Sequence, residues 1–263
     1  MLFDHPLTIL YRDEDLVAVN KPAGMLVHRT AIDADDAPAL LQRLRDQLGR
    51  SVHPAHRLDR GTSGIVLFAL HAEATRALAA TLREGQAQKT YVAVVRGWAA
   101  EHTEVDHPLR DRPDRLARRQ IVATRPAFTD VRCLARAEID ASVGRYATAR
   151  YSWVACRPRT GRQHQIRRHL KHLRHPIIGD ANYGDGAHNR FVREARGVTR
   201  LLLAATAIRL PHPRTGAELA IGAPLDASFL GALAWPEWRI ASAAGASSMD
   251  AAIDALTLVT AAR

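Results

Sequence analysis

Cysteine is nearly missing from this chain of 263 residues. The only two, Cys133 and Cys156, form no CxxC pair, which excludes a disulfide framework and a cysteine zinc site. Long apolar runs are missing too: none approaches the roughly 18 residues that a helical membrane span needs. The opening MLFDHPLTILYRDEDLV carries acids where a secretory signal carries basic residues. Nucleotide and hydrolase signatures are absent as well. Gly61-Thr62-Ser63-Gly64 lacks the Gly-Lys-Ser/Thr ending of a P-loop, no GxSxG exposes a serine nucleophile, and no HExxH or Asp-Phe-Gly occurs. These absences leave a soluble protein expected in the cytoplasm.

What is present is positive charge on an ordinary globular composition. Lys and Arg number 37 against 27 Asp and Glu, a formal charge of +10 and a pI near 10.5. Lysine occurs only at Lys21, Lys89 and Lys171, so arginine carries nearly all of this charge. An arginine-favouring, alanine-rich composition accounts for the ratio of the two residues but not for the net excess. A field of this sign attracts polyanions, and counterion release favours nucleic-acid binding.

Apolar periodicity and turn residues divide the chain into short elements. Ile9–Tyr11 and Leu16–Val19 flank an acidic turn and read as a hairpin that empties into Asn20-Lys21-Pro22-Ala23-Gly24. Leu40, Leu41, Leu44 and Leu48 are spaced for a helix over 37–48 that ends at Gly49. Residues 64–70 form a buried strand and 72–83 a helix; 89–95 form another strand. Further strands are expected over 128–139 and 146–156, with Tyr146, Thr148, Arg150 and Ser152 alternating with Ala147, Ala149, Tyr151 and Trp153. A helix over 163–174 places Ile166, Leu170 and Leu173 inside, and a last hairpin joins 201–210 to 218–221. The Arg-rich stretch 110–126 reads as a mobile basic loop, and the Ala/Ser-rich tail 241–263 as a loose helix or disorder. Strands outnumber helices and arrive in hairpins, so the class is α+β with a largely antiparallel sheet.

Two stretches concentrate chemistry. In His56-Arg57-Leu58-Asp59-Arg60-Gly61-Thr62-Ser63-Gly64, one carboxylate sits between two guanidinium groups, which favour its ionised form. Such a carboxylate serves either as a structural ion pair pinning a turn or as a nucleophile. In Thr160-Gly161-Arg162-Gln163-His164-Gln165-Ile166-Arg167, a turn opens a helix whose first turns are cationic. That arrangement opposes the helix dipole, a cost that a bound anion offsets. His164, His169, His172 and His175 lack a carboxylate among them, and a metal is not expected. Tyr91, Tyr146, Tyr151 and Trp153 offer rings for base stacking or simply fill the core.

Together with Lys89-Thr90-Tyr91 and Pro176-Ile177-Ile178-Gly179-Asp180, these motifs in this order resemble the RluA-type pseudouridine synthases over roughly residues 8–230. The resemblance implies a mixed, mostly antiparallel sheet in two halves with flanking helices and a central RNA-binding cleft. It implies a catalytic domain over 1–240 with no S4 RNA-binding module. Asp59 would be the catalytic aspartate, Arg167 its ion-pair partner, and Tyr91 the ring stacked on the target base. Arg57 would displace the uridine from its stem, and Lys21, Arg60, Arg162 and His164 would line the substrate site. No cofactor or metal is implied, the partner is RNA, and the chain would act as a monomer away from membranes. Val27-His28-Arg29, His172–Pro176 and Gly184–Arg190 are most similar to the branch that modifies position 65 in the tRNA acceptor stem. Large-subunit rRNA is the alternative substrate, and a catalytically silent RNA-binding, tRNA-folding chaperone the alternative function. Ala204 stands where the family usually has His.

Overall fold

A computed structural model describes residues 5–29, 38–111 and 123–240. These residues form two compact units, and the chain passes between them more than once. The first unit takes the chain up to Gln88 and again over Leu203–Ala227; the second takes Lys89–Leu202 and resumes at Ser228.

The first unit opens with β1 (Thr8–Arg12) and β2 (Leu16–Lys21), an antiparallel pair with Thr8 opposite Asn20 and a register slip between Ile9 and Tyr11. The acidic turn between them is built by Asp13, whose Oδ1 accepts the N–H groups of Asp15 (2.8 Å) and Leu16 (2.9 Å). After α1 (Leu40–Leu48) and the short β3 (His53–Pro54) comes β4 (Ser63–Ala69), buried along its whole length as its unbroken apolar run requires. It pairs with β2, Leu16 lying opposite Ala69 and Lys21 opposite Gly64. Helix α2 (Ala72–Arg83) starts where the His71 ring accepts the Ala74 N–H, and it buries Ala74 and Leu78 against β2 and β4.

The second unit begins with β5 (Gln88–Arg96) and β6 (His102–Asp106). A minimal ladder of β7 (Leu109–Arg110) with β8 (Thr124–Arg125) follows. The long antiparallel pair β9 (Phe128–Ile139) and β10 (Ala149–Pro158) forms its backbone, with β5 on β10 and β6 on β9. Helices α3 (Gln165–His172) and α4 (Gly186–Arg196) come next. Asp185 caps α4 through the N–H groups of Ala187 and His188, and its other oxygen accepts Arg96 at 2.6 Å. Tyr151, fully buried on β10, meets His188 Nδ1 at 3.1 Å and the edge of Trp235.

The chain then returns to the first unit as β11 (Leu203–Pro211) and β12 (Glu218–Gly222), an antiparallel hairpin. Strand β11 pairs with β4 in parallel, Ala204 opposite Ser63 and Ala205 opposite Gly64, which makes this sheet mixed. Gly64 is required there: its φ is 108°, and a Cβ would lie 2.0 Å from the Ala205 carbonyl oxygen. Leu16, Ile65, Leu67, Leu78, Ile208, Leu210 and Ile221 close the core of this unit. The described residues end in the second unit with α5 (Ala227–Leu233) and β13 (Arg239–Ile240), which pairs with β9. Among the described residues no helix is long and apolar enough to cross a membrane.

Several expected boundaries move. Strand β10 starts at Ala149 rather than 146, leaving Tyr146 exposed beyond its end. Its alternation also breaks, because Ser152 is buried: its hydroxyl donates to the Gly97 carbonyl (2.9 Å) and accepts the Ala99 N–H. Helix α3 starts two residues late and leaves Leu173 at its C-cap only partly buried. Of the basic stretch 110–126, residues 112–122 lie outside the described residues, as does the tail from 241.

Asp13 links the β1–β2 turn to the β11–β12 turn, since its Oδ2 accepts the Tyr11 hydroxyl (2.6 Å) and lies 2.8 Å from His212 Nε2. Burial pushes its carboxyl up, but hydrogen bonds from Tyr11, Leu16, His212 and Asp15 outweigh that and bring it to about 2. A depressed carboxyl stabilises the fold fully above its unfolded value of roughly 4 and loses that contribution as the pH falls. Urea unfolding of Asp13→Ala should show a loss of about 2 kcal/mol at neutral pH. The difference from wild type should shrink as the pH is lowered through 4 towards about 2.

Candidate functional site

In the first unit, two loops that are far apart in sequence are zipped together by backbone groups. The side chain of Lys21, at the end of β2, has no exposed surface. Its ammonium donates to the carbonyls of Pro22 (3.0 Å), Met25 (2.8 Å) and Arg60 (3.2 Å). Carbonyl dipoles thus compensate a buried cation. The Gly24 N–H also donates to the Arg60 carbonyl (2.8 Å), and Arg60 Nε returns a bond to the Gly24 carbonyl (2.9 Å). A substrate-lining role was expected for Lys21; its observed bonds fix the loop that carries Asp59.

Within that loop Leu58 is buried as an anchor, so Arg57 and Asp59 on either side of it point away from the core. Asp59 is half-buried and Arg57 exposed. The Thr62 N–H donates to the Asp59 carbonyl (3.1 Å) and turns the chain into β4. A carboxylate on a tight turn, held between a buried leucine and a fully buried strand, has little freedom to move.

In the second unit, Tyr91 lies half-buried on β5 opposite Cys156 of β10. Beyond the end of β10 the turn 160–164 is organised by a residue the sequence reading passed over. Gln165 is buried, and its Oε1 accepts the Thr160 hydroxyl (2.7 Å) and the Arg162 N–H (3.0 Å). Its amide donates to the Phe128 carbonyl (2.9 Å) and to Thr129 Oγ1 (3.0 Å). Arg162 is partly buried with Nε on the Pro126 carbonyl (3.1 Å). His164 adopts a left-handed φ of 53° and sits 3.1 Å from the Tyr183 hydroxyl through Nδ1. His169 spends both ring nitrogens on Thr129 Oγ1 and the His107 carbonyl, and burial pushes its pKa down.

The centre of this unit's cluster is Arg167. Only 7% of it is exposed, and it meets Asp180 through two parallel bonds, Nε to Oδ2 at 2.7 Å and Nη2 to Oδ1 at 2.8 Å. Its guanidinium also lies 5.1 Å from the Tyr183 ring centroid. Asp180 Oδ1 accepts the N–H groups of Asn182 (2.9 Å) and Tyr183 (3.0 Å) as well. Burial pushes the Asp180 carboxyl up; its bonds to Arg167, Tyr183 and Asn182 prevail and hold it below the usual carboxylate range. The preceding Gly179 has φ 79°, and a Cβ there would strike the Arg200 carbonyl oxygen at 1.8 Å.

The expected residues thus divide between the units: Lys21, Arg57, Asp59 and Arg60 belong to the first, and Tyr91, Arg162, His164 and Arg167 to the second. Asp180 and Gln165 are the supporting residues that sequence reasoning left without a role, although both stand inside the quoted motifs. Among the described residues the one group that gathers three potential metal ligands is Asp13, Asp15 and His212. Asp15 Oδ2 there is 2.9 Å from the Arg214 guanidinium, whose charge opposes a cation.

Removing the Asp180 carboxylate takes two charge-assisted hydrogen bonds from a buried guanidinium. Asp180→Ala should lower stability by about 3–5 kcal/mol in chemical denaturation at neutral pH. Wild-type stability should also fall at acid pH as this carboxylate protonates, below the usual carboxylate range.

Residues 15–172 match the family described as RNA pseudouridylate synthase. The chain is 48% identical over 222 residues to the tRNA pseudouridine synthase C of Haemophilus ducreyi, covering 84% of this chain and 91% of that protein. It is 45% identical over 236 residues to the protein of the same name from Vibrio cholerae, covering 89% and 97%. Among solved structures, Human RNA Pseudouridylate Synthase Domain Containing 1 superposes with a TM-score of 0.67 at 25% identity, over 95% of this chain and 94% of that one. A family match across more than half the sequence, relatives aligned over nearly their full length, and the same mixed α+β fold agree: the chain belongs to the RNA pseudouridylate synthases and is an isomerase of uridine in RNA.

Proposed function

We propose that the RNA is tRNA, that the target is the acceptor-stem uridine at position 65, and that Asp59 is the nucleophile. The observation that carries the substrate reading is the near full-length identity to proteins named tRNA pseudouridine synthase C. The net charge of +10 suits an RNA partner whose affinity comes largely from phosphate contacts. The protein works as a cytoplasmic monomer, and residues 1–240 act as one catalytic region.

Isomerisation breaks the bond from uracil N1 to ribose C1′ and makes one from C5 to C1′. The C5 proton is lost and N1 gains one, so neither electrons nor a cofactor are consumed. The base must leave its stack first, at a cost of a few kcal/mol. Arg57, exposed beside Asp59, takes the space the base vacates, and Arg60, Arg162 and His164 hold the surrounding RNA. The Asp59 carboxylate forms the covalent link to the nucleoside, Tyr91 supports the freed ring and assists departure of the C5 proton, and Arg167 steadies Asp59 for the attack. Asp180 fixes Arg167 for that task, and Lys21 fixes the loop of Asp59.

The test is incubation with unmodified tRNA transcripts and with large-subunit rRNA fragments, followed by pseudouridine mapping. Product at the acceptor-stem uridine of tRNA is expected; product in rRNA fragments alone would overturn the substrate. Asp59→Asn should lose all measurable turnover while binding RNA within about threefold of wild type, and full activity in that variant would remove Asp59 from the mechanism. Arg167→Met should slow single-turnover conversion at least about a hundredfold, the scale of one misplaced catalytic group.

A further inference from the structure

The three lysines of the chain are treated very differently. Lys21 is fully buried and its ammonium rests on carbonyls, while Lys171 is exposed with its ammonium 5.8 Å from the Tyr183 ring. Lys89 is half-buried, yet among the described residues it has neither a hydrogen bond nor an ion pair. It lies on β5 two residues before Tyr91, and alternation along a strand puts both side chains on the same face, roughly 7 Å apart. Its ammonium approaches the turn after β10: a Cβ built on Gly161 would lie 4.0 Å from Lys89 Nζ. Arg162, the next residue in that turn, spends Nε on a carbonyl and has no carboxylate partner among the described residues.

An ammonium withdrawn from water without a counter-charge raises the energy of the fold unless something outside the chain supplies the charge. Here burial alone pushes the Lys89 pKa down, with no acidic group opposing it. A purely structural lysine would be paired as Lys21 is. The missing partner is therefore an anion. On a protein whose substrate is RNA, the anion that lies one residue's reach from a ring against the target base is that nucleotide's own phosphodiester. We propose that Lys89, with the side-chain-free turn at Gly161, forms the phosphate subsite for the nucleotide being isomerised. This rests on the reading of Tyr91 as the residue that stacks on the target base.

The test uses the full chain, a tRNA transcript, and the same RNA with a neutral methylphosphonate at the linkage flanking the modified uridine. Lys89→Met should weaken RNA binding about tenfold, raise KM by a similar factor and leave kcat within about threefold. The slope of log affinity against log salt should fall by about one phosphate contact. Lys89→Arg should recover most of the affinity. The melting temperature of Lys89→Met should equal or exceed that of wild type, because removing an unpaired, half-buried ammonium relieves the fold; a lower one would assign Lys89 a structural role and overturn the proposal. The methylphosphonate should weaken wild type and leave Lys89→Met unaffected. Unchanged affinity and salt slope in Lys89→Met, or losses from variant and methylphosphonate that simply add, would overturn the phosphate subsite. Binding is read without turnover, so a wild type that forms no pseudouridine in any RNA would refute the proposed reaction while the salt slope still decides Lys89.

Discussion

A guanidinium with almost no exposed surface is tolerable only if its charge and its donors are met, and Asp180 supplies Arg167 with a counter-charge and two parallel hydrogen bonds. Much of the second unit is arranged around that requirement. The backbone before Asp180 turns through a left-handed Gly179 where no side chain fits, the N–H groups after it fill the rest of the carboxylate, and Gln165 locks the turn that leads into α3. A residue offered to substrate from such a setting is stiff by construction. Pre-positioned charge of this kind suits a reaction that must hold a detached uracil while its ring turns over.

The first unit reaches the same end by backbone means. Its Asp59 loop is held by carbonyls around Lys21 and by the reciprocal bonds of Gly24 and Arg60. The close parallel approach of Gly64 to Ala205 anchors the strand that follows. Ala204, where the family usually has His, is a buried member of that ladder opposite Ser63, so its small side chain fits a place where two strands already crowd. The lysines show how differently one charge is used: compensated by dipoles at 21, open at 171, and, among the described residues, withdrawn without a partner at 89.

Local pattern was informative wherever a buried face runs along a regular element. The helix over 72–83 and the strands at 8–12, 16–21 and 63–69 fall where apolar spacing and turn residues put them. It failed where side chains bond the backbone. Gln165 and the left-handed His164 delay α3, and Ser152 is drawn inside by the Gly97 and Ala99 backbone against the alternation of its strand. Helix α4 went unread because, of its eleven residues, only His188 and Val192 are buried, too few for a visible stripe.

The sequence by itself determined the fold class, the family motifs and the candidate carboxylate, since each is written in residues adjacent along the chain or repeated at a helical or strand period. Tertiary structure decided what holds those residues. Asp180 as a partner of Arg167, the carbonyl cradle of Lys21 and the lack of a hydrogen bond or ion pair for Lys89 among the described residues depend on groups brought together by folding. No spacing along the chain encodes which polar groups will be shut away from water side by side, and that enclosure sets their charge and their strength.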